Sequence, residues 1–211
     1  MAEGKRKRGD KAQETRRRII DAAGALFVEQ GYGATRLQEI ADRAGVAVQT
    51  IYFVFRTKPS LLKELVDVAI AGDDDPVPTL DRPWFTEVTS APTAASALAA
   101  LIPGTRATLE RVAAITEMVR AAAATDPEIR DLWPDRTDPR YTVLATAAKA
   151  LTRKPGAHPT LSTDEAADIL YAVLSPELFL VLTRDRAWPP AKWERWAHDT
   201  LSSQLLAPTE T

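Results

Sequence analysis

The chain has no cysteine and only two histidines among its 211 residues. Without cysteine there is no disulfide, no thiolate nucleophile and no cysteine-ligated metal. The two histidines leave few nucleophile–base arrangements open. His158 sits in the proline-rich stretch KPGAHPT and His198 on an otherwise polar helix face, so both read as surface residues. Carboxylate pairs such as Asp164 and Glu165 read as helix-start charges that complement the macrodipole. No run approaches the roughly 18 apolar residues of a membrane span. The N-terminus, MAEGKRKRGD, is basic but leads into no apolar stretch of the secretory kind. No segment shows sustained strand alternation, and there is no internal repeat. These absences argue against an enzyme, and the expectation is no catalytic residue, no cofactor and no metal. They also argue against a membrane partner and for a cytoplasmic protein.

What is present is an ordinary globular composition, 45% apolar and 27% charged, with an uneven distribution of charge. Net charge is −2, which alone would disfavour a nucleic-acid partner. Residues 1–60, however, hold 12 Lys/Arg against 7 Asp/Glu, and the remaining residues hold 15 against 22. Phosphate binding needs a local basic surface, not a basic protein, so the first 60 residues are where a polyanion would dock.

Within that basic part lies Thr35 to Phe55, TRLQEIADRAGVAVQTIYFVF. Thr35 is suited to an N-cap, because its hydroxyl can accept from a free N–H of the first turn. Leu37, Ile40, Ala41 and Ala44 recur at the spacing of one buried helical face. Gly45 then stands where the helix must stop, in a position that favours the left-handed conformation. A second short helix begins near Ala47. Two short helices joined by such a turn form a helix-turn-helix, whose second helix lies in the DNA major groove. On that helix Val48, Gln49 and Thr50 occupy the turn that meets base edges. Gln49 can pair with adenine N6/N7, Thr50 offers a hydroxyl and a methyl, and Val48 can make an apolar contact to a thymine methyl. Thr35, Arg36, Gln38, Tyr52 and Lys58 are the candidate phosphate contacts. Ile51 and Phe55 read as core.

The spacing T35-x4-I40-A41-x2-A44-G45-V46-x3-T50-I51-Y52-x2-F55-x2-K58-x2-L61 resembles the signature of the tetracycline-repressor (TetR) family of bacterial transcriptional regulators. The resemblance covers roughly residues 13 to 70. Ala47 replaces the family's usual capping residue and Val54 its usual polar one, so contacts at those two positions are not carried over. AADILYAVLSPELFLVLTRDRAW and KWERWAHDTLSSQLL resemble the last two helices of many members. The resemblance implies an all-α fold in which a three-helix DNA-binding module precedes a larger effector-binding and dimerisation bundle. It also implies a double-stranded DNA operator, a homodimer and a small effector bound within the bundle.

Along the chain, residues 1–11 read as a disordered basic arm and 12–58 as the helix-turn-helix domain, with its first helix over about 13–30. Thr57 can cap a connecting helix over 59–72, with Pro59 in its first turn. Asp73, Asp74 and Asp75 read as a solvated loop, and residues 73–211 as the C-terminal domain. Its expected helices span about 92–108, 110–124, 127–153 with an interruption at Trp133-Pro134, 163–184 and 190–206. Asp126-Pro127 and Ser162-x-x-Glu165 mark two of the starts. Trp84, Phe85, Met118, Trp133, Tyr141, Tyr171 and Phe179 are candidate lining for a hydrophobic effector pocket, although aromatics at helical spacing also serve as plain core. Ile169, Leu170, Val173, Trp193, Trp196 and Leu201 form two stripes suited to a dimer interface or to intramolecular packing. An architectural DNA-binding protein or an activator without effector control is the alternative, but it would need no large second domain.

Overall fold

The computed structural model describes residues 2–72, 77–132 and 138–208, with residues 2–10 as backbone alone. The expectations for Asp73, Asp74, Asp75, Trp133 and Pro134 lie outside the described residues. Every described regular element is helical, apart from one isolated bridge between Ala157 and Leu206. In chain order the helices are α1 (Ala2–Gln30), α2 (Leu37–Ala44), α3 (Val48–Phe55), α4 (Lys58–Ala71), α5 (Pro83–Ser90) and α6 (Ala94–Thr125). They continue as α7 (Pro127–Leu132), α8 (Pro139–Leu151), α9 (Thr163–Val173), α10 (Pro176–Leu180) and α11 (Pro190–Leu205).

Several starts follow from the capping residues. Thr57 Oγ1 accepts from Ser60 N–H at 3.1 Å and opens α4. Asp126 Oδ1 accepts from Glu128 N–H at 3.0 Å and opens α7. Ser162 and Glu165 form the reciprocal box that opens α9, with Glu165 Oε2 accepting from Ser162 N–H at 3.0 Å.

Other boundaries differ from the sequence expectation. The backbone of the basic arm is helical from Ala2, continuous with α1, where a disordered segment was expected. Its Ala, Glu, Lys and Arg residues are good helix formers, which supports extension of a helix already packed further along. The two helices expected over 92–108 and 110–124 are one 32-residue helix, α6. Leu109, at the expected break, is buried and offers no stop signal. Pro103 costs a backbone hydrogen bond, but Leu98, Leu101 and Ile102 around it are fully buried and hold the helix together. The helix expected over 163–184 stops at Val173. Ser175 then caps α10, its Oγ accepting from Leu178 N–H at 3.2 Å, with Pro176 in the first turn. A π-helical turn, Val181–Asp185, follows. Thr163–Asp185 is long and apolar enough to cross a membrane by composition, yet Ala166, Ala167, Leu170, Leu174, Phe179 and Leu180 are buried in the protein core.

The chain divides into two compact units that do not follow the linear boundaries expected at 58 and 72. One comprises Met1–Ala69 with Ala114–Pro134, the other Ile70–Ala113 with Asp135–Thr211. The first is built on Ile19, Phe27, Ile40, Ile51, Leu61 and Leu62, joined by Met118 and Ile129. The second is built on residues of α5, α6, α8, α9 and α11, with Phe85, Leu98, Leu101, Trp193 and Leu201 at its centre. α6 therefore supplies its first part to one core and its last part to the other.

Candidate nucleic-acid interface

α3, the helix expected to read bases, is positioned by a short helix and one glycine. α2 buries Ile40, Ala41 and Ala44 and ends at Gly45, whose φ of 66° and ψ of 42° are left-handed. The Gly45 N–H donates to Asp42 O at 3.2 Å and the Val46 N–H to Ala41 O at 3.0 Å, which satisfies carbonyls left open at the helix end. The chain can then re-enter a helix at Val48. α3 buries Ile51 and Phe55, as the sequence indicates, and Val46, Val48 and Val54 pack partly against the same core. Gln49 is exposed and Val48 and Thr50 are half-buried, so the first turn of α3 presents the three expected base-reading positions at the surface.

α3 ends abruptly. Arg56 has φ 65° and ψ −55°, and the Thr57 N–H donates across it to Phe55 O at 2.7 Å. This is a γ-turn of the rare form, which strains any residue other than glycine. Arg56 is exposed at this corner, immediately after α3. In the sequence a lone arginine between Phe55 and Thr57 carries no pattern that would single it out.

The expected phosphate contacts divide. Arg36, Gln38 and Tyr52 are exposed, with Tyr52 at 54%. Gln38 Nε2 donates to Asp42 Oδ1 at 2.8 Å along the outer face of α2. Thr35 is a correction. It is only 2% exposed, and its hydroxyl donates to Gly31 O at 2.8 Å and Leu26 O at 3.2 Å. A buried hydroxyl must find a partner, and here it is met by carbonyls in and just after the last turn of α1. Thr35 is thus neither the N-cap of α2 nor available to phosphate. Residue 36 takes the cap position, its N–H donating to Glu39 Oε2 at 2.8 Å.

Lys58 is also turned inward. Its ammonium donates to Tyr32 O and lies 4.2 Å from the centre of the Tyr32 ring. Burial pulls its pKa below the usual lysine value, with Asp126 and Glu39 opposing the shift. A phosphate contact from this side chain would require releasing Tyr32. Arg43 pairs with Glu29 through two contacts of 2.7 and 3.0 Å, which ties α2 to α1. That pairing holds the exposed Glu29 carboxyl below its usual range. Arg16 pairs with Glu64 in the same unit.

The residues expected to line a pocket are not one group. Met118 belongs to the first core, which also includes Ile129, because the last part of α6 belongs to that unit. Trp133 lies outside the described residues. Phe85 and Phe179 are buried core. Trp84 is half-buried against Phe85, ring centres 5.5 Å apart, and its indole covers Gly104, where a Cβ would meet it at 2.3 Å. Tyr141 and Tyr171 stand edge to face at 5.6 Å, and Arg140 lies 3.4 Å over the Tyr171 ring. The Tyr171 hydroxyl donates to Asp138, and that of Tyr141 to Asp168 at 3.4 Å. The expected interface stripes also divide. Leu170, Trp193 and Leu201 are fully buried within the chain's own core, so they cannot face a partner. Ile169, Val173 and Trp196 stay partly exposed beside it.

Residues 19–65 match the family model described as bacterial regulatory proteins, tetR family. The HTH-type transcriptional regulator AcrR of Shigella flexneri is 44% identical over 64 residues, 30% of each chain. The HTH-type transcriptional repressor KstR of Mycobacterium tuberculosis is 47% identical over 55 residues, 26% of this chain and 25% of its own. The alignments thus span less than a third of these relatives' length. Similar solved structures extend much further. A putative transcriptional regulator from Saccharomonospora viridis, in complex with choline, has TM-score 0.69 and 23% identity over 93% of this chain and all of its own. A SmeT–triclosan complex has TM-score 0.68 and 18% identity over 91% of both chains. At these identities the likeness is one of fold.

Proposed function

We propose that this chain, which carries the helix-turn-helix module of the TetR family of bacterial regulatory proteins, is a homodimeric, ligand-responsive transcriptional repressor. The observation that carries the reading is the outward face of α3. Gln49 and Tyr52 stand exposed there, with Thr50 and Val48 at its margin, on a helix fixed by the Gly45 turn and by buried Ile51 and Phe55. Such a face fits the edges of base pairs in the major groove. Arg36, Gln38, Tyr52 and Arg56 are suited to hold the phosphates on either side.

A two-fold symmetric operator requires two reading helices about 34–36 Å apart. The second copy would join through Ile169, Val173 and Trp196, which the chain leaves partly uncovered. A small hydrophobic effector would bind in the second unit, near Trp84, Tyr141 and Tyr171. Solved relatives of the same fold were captured with choline, triclosan and stearoyl-CoA. Occupancy would shift α4 and alter the spacing of the reading helices, releasing DNA. By linkage, an effector that weakens DNA binding must bind the DNA complex less tightly by the same factor.

A thermal-shift screen of apolar, ring-containing compounds tests the reading, followed by DNA-release assays on each hit. Stabilisation of about 2.7 kcal/mol is expected at a hundredfold excess over Kd. At least one stabilising compound should also release DNA. Hits that all stabilise the protein while leaving DNA affinity unchanged would remove effector control from the reading.

A further inference from the structure

Phe53 is 88% exposed, more than any other large apolar side chain among the described residues. It lies on α3 midway between Ile51 and Phe55, both buried. At about 100° per residue, the position midway between two inward-facing residues points outward, and the residue four earlier shares that face. That residue is Gln49. The centre of the outward face is therefore an amide and a phenyl ring, a turn apart, flanked by Tyr52 and the exposed Arg56.

A phenyl ring has no group for a phosphate and none for a polar base edge. In the major groove the one apolar feature of a base edge is the C5-methyl of thymine. The polar and cationic neighbours of Phe53 suit a nucleic acid better than an apolar protein surface, which would have to desolvate them. We propose that Phe53 is a specificity-determining residue that reads a thymine methyl in the half-site contacted by Gln49. This rests on the DNA-binding reading of α3.

The test uses the full chain and its best-bound symmetric duplex, with each thymine replaced in turn by deoxyuridine at both half-sites. Deoxyuridine removes only the methyl group. At one position wild type should lose about fourfold in affinity per half-site, or about fifteenfold for the pair, the value of one buried methyl at each. Phe53→Ala should bind thymine and uracil duplexes equally, and Phe53→Leu should regain part of the discrimination. Because Phe53 lies outside both cores, each variant should melt as wild type does. Wild type indifferent to every replacement would overturn the proposal, as would Phe53→Ala that still senses the same methyl. Phe53→Ala that binds DNA normally but loses self-association would assign the ring to a protein contact and overturn it too. Failure of wild type to prefer any duplex would overturn the DNA-binding reading along with this one.

Discussion

At the scale of single residues, the side chains around the reading helix separate those that hold the fold from those left for a partner. Thr35 and Lys58 both belong to the first kind. Thr35→Val keeps the shape of the side chain but removes the hydroxyl's hydrogen bonds to Gly31 O and Leu26 O. It should cost about 1–3 kcal/mol of stability, read as a lowered denaturant midpoint, with the salt dependence of DNA binding unchanged. Lys58→Ala should likewise destabilise the first unit, since Tyr32 O loses its donor. A variant as stable as wild type with a shallower salt slope would restore Lys58 to the phosphate contacts. Arg56 is the reverse case. Arg56→Gly relieves the strained γ-turn position, which costs a residue with a side chain about 1–3 kcal/mol, so the melting temperature should rise. The lost charge should weaken all duplexes about equally. Gln49→Ala should cost about 1–3 kcal/mol and relax preference at one half-site position only. Opposite signs for stability and binding at Arg56, measured on one preparation, would separate strain from function.

At the scale of elements, two glycines show how local geometry sets the outcome of the same substitution. In a helix, alanine normally gains about 1 kcal/mol over glycine. At Gly104 of α6, however, a Cβ would meet the Trp84 indole at 2.3 Å. Gly104→Ala should therefore be destabilising by about 1–3 kcal/mol through overpacking, visible as a lowered melting temperature. A raised one would mean that Trp84 moves aside freely. Gly45→Ala meets only Arg18 Nη1 at an ordinary 3.8 Å but has a φ of 66°, so it should strain the turn that aims α3.

The helix-turn-helix was legible in the sequence because Gly45 and the spacing of Ile40, Ala41, Ala44, Ile51 and Phe55 constrain it locally. α6 was not, since nothing in Leu109 or its neighbours says whether one helix continues or two meet. The break before α10 was readable in retrospect from Ser175-Pro176, a cap followed by a first-turn proline. The outward direction of Phe53 is not legible in the sequence, because an aromatic in an apolar run reads as core until the helical phase is fixed. Thr35 misled because one hydroxyl serves equally as a cap or as a donor to the preceding helix.

At the scale of the whole molecule, an amphipathic stripe looks alike whether its own chain or a second copy covers it. The structure divides the last helices accordingly, with Leu170, Trp193 and Leu201 inside the core and Ile169, Val173 and Trp196 at its edge. Leu170→Ala should cost about 2–5 kcal/mol of stability through a core cavity. Val173→Arg should leave the fold intact and shift the protein to a monomer in sedimentation, with loss of operator affinity. If Val173→Arg stayed dimeric, the two-fold contact would lie elsewhere. The division of charge along the chain, +5 in residues 1–60 against −7 beyond, fits a polyanion that docks on the first 60 residues.

The most direct measurement is selection of the full chain on a randomised DNA duplex library at low salt, followed by titration of the enriched sequence against rising salt. The account predicts a near-palindromic sequence bound by two chains, with affinity falling steeply as salt rises. It also predicts much weaker binding to a scrambled duplex. Enrichment of no symmetric sequence, or equal affinity for the enriched and scrambled duplexes, would contradict it.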